Sequence, residues 1–387
     1  MSLPREITSP SPIDRASPAT GLRVTGGAVV YRLFDVGYEI QLDRALELLA
    51  ANAPVRERPL RGEAQAMQIA NPPVGVMLGH ERIVIEGRAH DATMSARIFD
   101  FGVVSLRLGI DAPSSIGWEQ YWRFGNAVDV GTDLTPLFQQ HLRALFERIT
   151  PAIERPGIAP VSEDYIVFRI RRLEDAAGRI APADALGDDD IVPLLLNESR
   201  QLSTAARREL LPHRFSYYGD DITILTWDNA LVLEPVAEDT DVQYILEFAN
   251  AQLLELRFYD AVLDRELTQM YDRISEARAK PGRFFRRRFT HLLTRLLSIV
   301  ADSTELVERA ENSLKVTDDV YLARIYSAAL EIFRARAWRA GIDRKLAIIR
   351  ETYSMLNAEG QAARGEALEL AIVLLFVLEI VLASFVR

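Results

Sequence analysis

The spacing of apolar residues changes once along this chain, near residue 241. Before that point, short apolar runs alternate with helical spacing, and turn-forming residues separate them. The pattern predicts strands over 24–34, 83–85, 92–98, 103–108 and 164–171, a hairpin over 222–233, and helices over 40–51, 118–127, 134–149 and 191–196. Strands mixed with helices and hairpins predict an α+β domain built around an antiparallel sheet.

From Asp241 onwards, apolar residues recur every three or four positions. Neither Gly nor Pro occurs before Pro281, so the pattern predicts one helix of about 35 residues. Further helices are predicted over 284–313, 318–340 and 342–386, with an N-cap within 317–319. Helices of this length bury an apolar stripe against each other or against another subunit. The second half therefore predicts a coiled-coil-like stalk of long helices.

The end of the chain is almost uniformly apolar. Leu370 to Val386 contains a single charged residue, Glu379, and spans about 25 Å as a helix, close to the thickness of a bilayer core. On insertion scales the apolar residues outweigh one carboxylate, so we predict a C-terminal transmembrane helix. The alternative is a final helix buried in an oligomer core. Glu369, nearly three turns before Glu379, predicts one acidic face and hence self-association of the span.

These patterns predict four parts: a disordered tail (1–20), an α+β head (21–240), a helical stalk (241–365) and a membrane anchor (366–387). The tail has Ser-Pro pairs but no apolar core, so it does not resemble a signal peptide. Insertion after synthesis would leave the bulk of the chain in the cytoplasm, and arginines before the anchor agree with the positive-inside rule. We expect the bacterial inner membrane, rather than the mitochondrial inner membrane, because no presequence pattern is present.

Composition mainly excludes classes of function. The net charge of −10 argues against a general nucleic-acid binder, and the absence of cysteine excludes disulfides and thiolate chemistry. The five histidines lack metal-ligand spacing, and neither a phosphate-binding loop nor a G-x-S-x-G elbow occurs. The sequence therefore predicts no catalytic residue, no metal, no cofactor and no small-molecule substrate.

A basic cluster follows the first long helix. It consists of Lys280, Arg283, Arg286, Arg287 and Arg288, with two phenylalanines interleaved. Such a cluster could bind RNA through phosphate contacts and ring stacking, or lie on an anionic membrane surface. The third alternative is ion pairing with acids of neighbouring helices. All three remain open at the level of the sequence.

Four polar residues lie within the long helix, close to its apolar stripe. They are Glu247, Asn250, Gln252 and Glu255. We predict that these side chains set the register of a helical interface, in preference to a catalytic role.

Several segments resemble the "required for meiotic nuclear division" family of mitochondrial and fungal membrane proteins. The hairpin that starts at Phe215-Ser-Tyr-Tyr-Gly219 precedes a helix with Glu247-Phe-Ala-Asn-Ala-Gln252, and the segment Phe99-Asp-Phe-Gly-Val-Val104 is similar to that family's aromatic–Gly–Val–Val motif. The terminal helix with Glu369 and Glu379 is also similar. The resemblance implies a membrane-anchored, oligomeric, non-enzymatic protein, and its mitochondrial members support translation by tethering ribosomes or messages near the inner membrane.

Together these observations predict a membrane-anchored, homo-oligomeric, non-enzymatic scaffold or tether on the cytoplasmic face. The alternative is an RNA- or ribosome-tethering factor that supports translation at the membrane. An uncharacterised enzyme is the third hypothesis.

Overall fold

The computed structural model describes residues 21–52, 55–56, 71–198, 200–235, 241–279 and 319–385, together with Ala19 and Ala301. Its centre is a large mixed sheet with helices, which confirms the α+β prediction. The strands are β1 (Arg23–Asp35), β2 (Glu39–Ile40), β3 (Val55–Arg56), β4 (Val74–Ile85), β5 (Arg88–Ile98), β6 (Val103–Asp111), β7 (Ile116–Gly117), β8 (Ile153–Glu154), β9 (Ser162–Glu174), β10 (His213–Phe215), β11 (Ile222–Leu225) and β12 (Asn229–Leu233). The helices are α1 (Leu42–Leu48), α2 (Trp118–Asp129), α3 (Thr135–Ile149), α4 (Asp188–Leu195), α5 (Thr204–Leu210), α6 (Asp241–Ala279), α7 (Val320–Ile332) and α8 (Ala335–Phe385).

The main sheet has the strand order β10-β11-β12-β9-β1-β6-β5-β4-β3, and β7 also pairs with β1. Neighbouring strands are antiparallel except β12, which runs parallel to β9. The prediction of an antiparallel sheet is therefore wrong at this one pairing, because the chain crosses back through α4 and α5 before it returns to the sheet. The short strands β2 and β8 pair separately.

Two glycines let the central strand β1 fit between its neighbours. A Cβ atom on Gly26 would lie 2.1 Å from the carbonyl oxygen of Arg169, and one on Gly27 would lie 2.2 Å from that of Ile110. The register of β1 against β9 also shifts between Thr25 and Gly26. The glycine pair therefore serves close strand packing at a bulge.

Helices cover both faces of the sheet. On one face, Val30, Leu106 and Phe168 join the core of α2, α3 and α4, which includes Phe138. On the other face, the start of α6 and the end of α7 lie against the strands, since Phe248 contacts Phe99 at 6.0 Å between ring centroids and Phe333 contacts Tyr165 at 5.7 Å. Alternation along each strand supplies both apolar faces.

The chain forms two compact units, and α6 contributes to both. The first unit is Met1–Leu254 with Thr317–Phe333, and the second is Glu255–Val316 with Arg334–Arg387. In the second unit, α6 and α8 share an apolar core that includes Leu263 and Leu346. Residues with higher numbers in α6 contact residues with higher numbers in α8: Arg257 contacts Trp338, and Asp264 contacts Lys345. The two helices therefore run parallel.

The long helices that the structure describes agree with the predicted periodicity, apart from one boundary. Except for Ala301, the helix predicted over 284–313 lies outside the described residues and stays a prediction. α6 has 39 residues, and Asp319 caps α7 by accepting from the backbone N–H groups of Tyr321 and Leu322. The predicted break near residue 341 is wrong, because the chain instead breaks at Arg334, where φ is +53°. Gly341 lies inside α8, and a Cβ atom there would lie 3.3 Å from Oδ1 of Asp260.

Among the helices that the structure describes, none combines the length and the apolar character needed to cross a membrane. The transmembrane part of the predicted fold is therefore unsupported.

Candidate functional site

A buried polar layer lies between the second face of the sheet and α6. Nη1 of Arg97, on β5, donates to Oε2 of Glu247, on α6, and the side chains are 5% and 0% exposed. Arg107, on β6, places Nη1 4.0 Å from the same carboxylate oxygen. One helical carboxylate thus joins two neighbouring strands, and we call these three residues the arginine–glutamate clamp.

Strand alternation explains why these arginines face α6. In β6, Val104, Leu106 and Leu108 point into the opposite core, so Ser105 and Arg107 point towards the helix. Arg97 lies opposite Ser105 in the adjacent strand. This alternation is visible in the sequence, but the partner of Arg97 lies 150 residues further along the chain, and periodicity within a segment carries no information about it.

Other buried ionisable side chains surround the clamp, and burial shifts their pKa values. The pKa of Tyr31 is raised to about 12, mainly by burial and also by Glu247, while Arg107, Arg97 and Arg169 oppose the shift. Burial also lowers the pKa of the Arg169 guanidinium. The Arg97 guanidinium lies 4.5 Å from the centre of the Tyr244 ring. Ion pairs removed from water in this way are costly unless their geometry is maintained, so the clamp fixes the position of α6.

The other polar residues singled out in α6 are buried as well. Gln252 accepts a hydrogen bond from the Tyr326 hydroxyl on α7, which joins the two helices. The Asn250 side-chain amide donates to the Leu246 carbonyl oxygen at 2.8 Å, one turn earlier. Glu255 is 5% exposed and begins the second unit. The sequence identified these positions but not the strand partner of Glu247.

Two of the segments behind the family resemblance meet in an aromatic cluster. Phe99 and Phe101 are stacked at 5.2 Å, and Phe248 contacts both at 6.0 and 6.2 Å. Gly102 has a φ of +93°, and a Cβ atom there would lie 1.9 Å from the Gly37 carbonyl oxygen. These motifs therefore serve packing of the turn between β5 and β6 against α6.

The remaining predicted site residues are the basic cluster after α6 and the two glutamates of the terminal helix. The basic cluster Lys280, Arg283, Arg286, Arg287 and Arg288 lies outside the described residues, so RNA or lipid binding there stays a prediction. Glu369 is exposed on α8, and Glu379 lies in α8 with a side chain outside the described set. Beside them, the five residues 372–376 are 45–65% exposed although all are large and apolar.

No metal centre emerges from the part of the chain that the structure describes, because it contains no group of three or more suitable His, Asp or Glu side chains. Sequence reasoning missed two features: the buried carboxyl of Asp35, whose pKa burial raises to about 7, and a cavity beside Trp118. Neither has a sequence signal, since both depend on distant elements.

Comparison with known proteins finds one relative and one family model, both described as uncharacterized. "Uncharacterized protein MJ0711" of Methanocaldococcus jannaschii is 26% identical over 252 residues, which cover 65% of this chain and 74% of the relative. No solved structure matches. The resemblance to the meiotic nuclear division family remains a prediction. The family model described as "Uncharacterized protein MJ0711, N-terminal domain" matches residues 25–240, and the chain belongs to that family.

Proposed function

We propose that the protein is a membrane-anchored, oligomeric, non-enzymatic scaffold. The observation that carries the proposal is the run Ile372, Val373, Leu374, Leu375 and Phe376 in α8, whose exposed fractions are 45, 58, 61, 65 and 61%. Large apolar side chains that remain in contact with water mark a surface that binds another apolar surface.

The distribution of this run around the helix favours lipid over a protein partner. Successive residues of an α-helix are rotated by about 100°, so five consecutive residues cover the whole circumference. One partner helix would cover only one side, whereas a bilayer surrounds a helix on every side. We therefore propose that the end of α8 is the anchor, with Glu369 at its cytoplasmic border.

The stalk supplies the scaffold part of the proposal. The parallel contact of α6 with α8 contains the ion pairs of Lys345 with Asp260, at 2.7 Å, and with Asp264, at 2.6 Å. Outside this contact, Tyr271 and Met355 are 56% and 45% exposed. We propose that copies of the chain associate along these helices, in a coiled-coil-like manner.

Membrane fractionation of the full-length protein tests the anchor. We expect the protein to pellet with membranes and to resist alkaline carbonate extraction. Deletion of 366–387, or the pair Leu374→Glu and Phe376→Glu, should move it to the soluble fraction, and the deletion should lower its oligomeric order in light scattering. Ser354→Glu, on an exposed position of the same helix, is the matched control and should leave the protein in the pellet. Release of the unaltered protein by carbonate would contradict the proposal.

A further inference from the structure

We propose that a cavity at the beginning of the central strand binds a planar aromatic molecule that carries an anionic group. The cavity has a volume of about 890 Å³ and lies between the start of β1, β7 and the first turns of α2 and α4. This volume is in the range of small-molecule sites in proteins. Its lining includes Arg23, Ser115, Trp118, Trp122 and Asp190.

Arg23 provides a positioned positive charge at this cavity. Its Nε donates to the Ser115 hydroxyl at 2.9 Å, and its Nη2 donates to the Ser115 carbonyl oxygen at 2.8 Å. A guanidinium has five N–H donors, so these two bonds fix its orientation and leave donors for a ligand. Within the part of the chain that the structure describes, Arg23 forms no ion pair with a carboxylate.

The backbone of Ser115 supports a binding role for this arrangement. Ser115 has a φ of +53°, a left-handed conformation that is uncommon for residues other than glycine and that recurs at ligand sites. In this conformation one residue directs both its hydroxyl and its carbonyl oxygen at the same guanidinium. We infer that the turn is shaped to hold Arg23 in place.

The carboxylates near the cavity do not oppose an anionic ligand, because each is already engaged. Asp189 pairs with Arg207 at 2.5 Å, and Glu119 pairs with Arg123 at 2.5 Å. Asp190 is buried, its Oδ2 accepts from the Gly187 N–H at 3.0 Å, and burial raises its pKa. Among the described residues that line the cavity, Arg23 is the positively charged side chain that can meet an anion.

Two tryptophans supply the aromatic character. Trp118 is 5% exposed, and its indole N–H donates to the Asp190 carbonyl oxygen at 3.0 Å, which fixes the ring. Trp122 lies one turn further along α2 and is partly buried. Indole rings favour planar aromatic ligands through stacked or edge contacts. Aromatic walls beside a fixed guanidinium therefore fit a planar ring with an acidic substituent.

Calorimetric titration of the full-length protein tests this inference with four probes: adenosine 5′-monophosphate, indole-3-acetate, adenosine and inorganic phosphate. We expect both aromatic anions to bind saturably, and adenosine and phosphate to bind at least tenfold more weakly. Arg23→Gln should weaken binding of both aromatic anions at least tenfold and leave adenosine unchanged. Arg88→Gln, at the exposed first residue of β5, is the matched control and should leave the affinity for all four probes unchanged.

The partly exposed Trp122 gives a second variant that does not disturb Arg23. Trp122→Leu should weaken all aromatic probes several-fold and leave phosphate unchanged, and it keeps the test decisive if Arg23→Gln fails to fold. The proposal would be overturned if adenosine 5′-monophosphate or indole-3-acetate failed to bind saturably to the unaltered protein. Equal affinity for adenosine and its monophosphate, or affinities unchanged in a folded Arg23→Gln or Trp122→Leu variant, would overturn it as well.

Discussion

At the scale of single residues, the arginine–glutamate clamp is the most exacting feature of the fold. Glu247 is removed from water, and Arg97 supplies its direct ion pair. Such a pair contributes little net stability when it is intact, yet removal of one partner leaves an isolated buried charge. Any other position of α6 on the sheet would separate this ion pair and would therefore be less stable.

Removal of one partner of the clamp should destabilise the protein much more than replacement of both partners by apolar residues. We expect Glu247→Ala to lower the free energy of unfolding by about 3–5 kcal/mol, because the Arg97 charge stays buried without its partner. The paired change Arg97→Met with Glu247→Leu should cost far less than either single change. Urea unfolding followed by tryptophan fluorescence measures both, and Glu331→Ala, on the exposed side of α7, is the control. Additive losses in the double variant would contradict the clamp.

Asp35 predicts a dependence of stability on pH. Burial raises the pKa of its carboxyl in the folded chain to about 7, although the Gly37 N–H opposes the shift, whereas the unfolded carboxyl titrates near its ordinary value of about 3.9. Between these values the folded state binds more protons than the unfolded state, so this contribution is complete below pH ~4 and is lost as the pH rises through ~7.

The matched variant is Asp35→Asn, which keeps a neutral polar group in the buried site. At about 1.4 kcal/mol per pKa unit, the unaltered protein should lose a few kcal/mol of stability between pH 4 and 8 that the variant retains. Thermal unfolding across this pH range measures the difference. Parallel pH profiles for the two proteins would show that the Asp35 carboxyl is not held protonated.

At the scale of elements, the sequence predicted most of what depends on local pattern. The strands around Val29 and Val167 and the uninterrupted α6 follow from periodicity. The helix break was misplaced because Gly341 has the appearance of a helix terminator. Its role is instead tertiary, since it lets α8 approach Asp260 of α6 closely, and no local pattern distinguishes these two roles of glycine.

Added bulk at Gly341 should therefore disrupt the contact between the two helices. We expect Gly341→Leu to lower the free energy of unfolding of the second unit by about 1–3 kcal/mol, despite a gain in helix propensity, because the side chain must displace Asp260 and its partner Lys345. Ala340→Leu, at the exposed neighbouring position, adds similar bulk and should be neutral. Urea unfolding monitored by circular dichroism compares them, and equal stability of both variants would exclude close packing at Gly341.

At the scale of the whole molecule, the division into compact units cannot be seen in the sequence. The change of period at Asp241 marks where secondary structure changes, but residues 241–254 of α6, together with α7, belong to the unit that contains the sheet. Tertiary burial decides this division: Phe248 and Phe333 contact rings on the sheet face. The arginine–glutamate clamp is a consequence of the same arrangement.

A shortened chain tests the division directly. In a chain of residues 1–240 alone, no helix covers the sheet face that contains Val29, Val167 and Val232, which are buried in the full-length protein. We therefore expect this shortened chain to aggregate and to bind a hydrophobic dye. Residues 1–254 joined to 317–334 through a flexible Gly/Ser linker of about 20 residues restore that cover and should yield a soluble monomer that unfolds cooperatively. Size-exclusion chromatography and calorimetry compare the two. If residues 1–240 were monomeric and equally stable, the second face of the sheet would not require α6 and α7, and the arginine–glutamate clamp would be dispensable for folding.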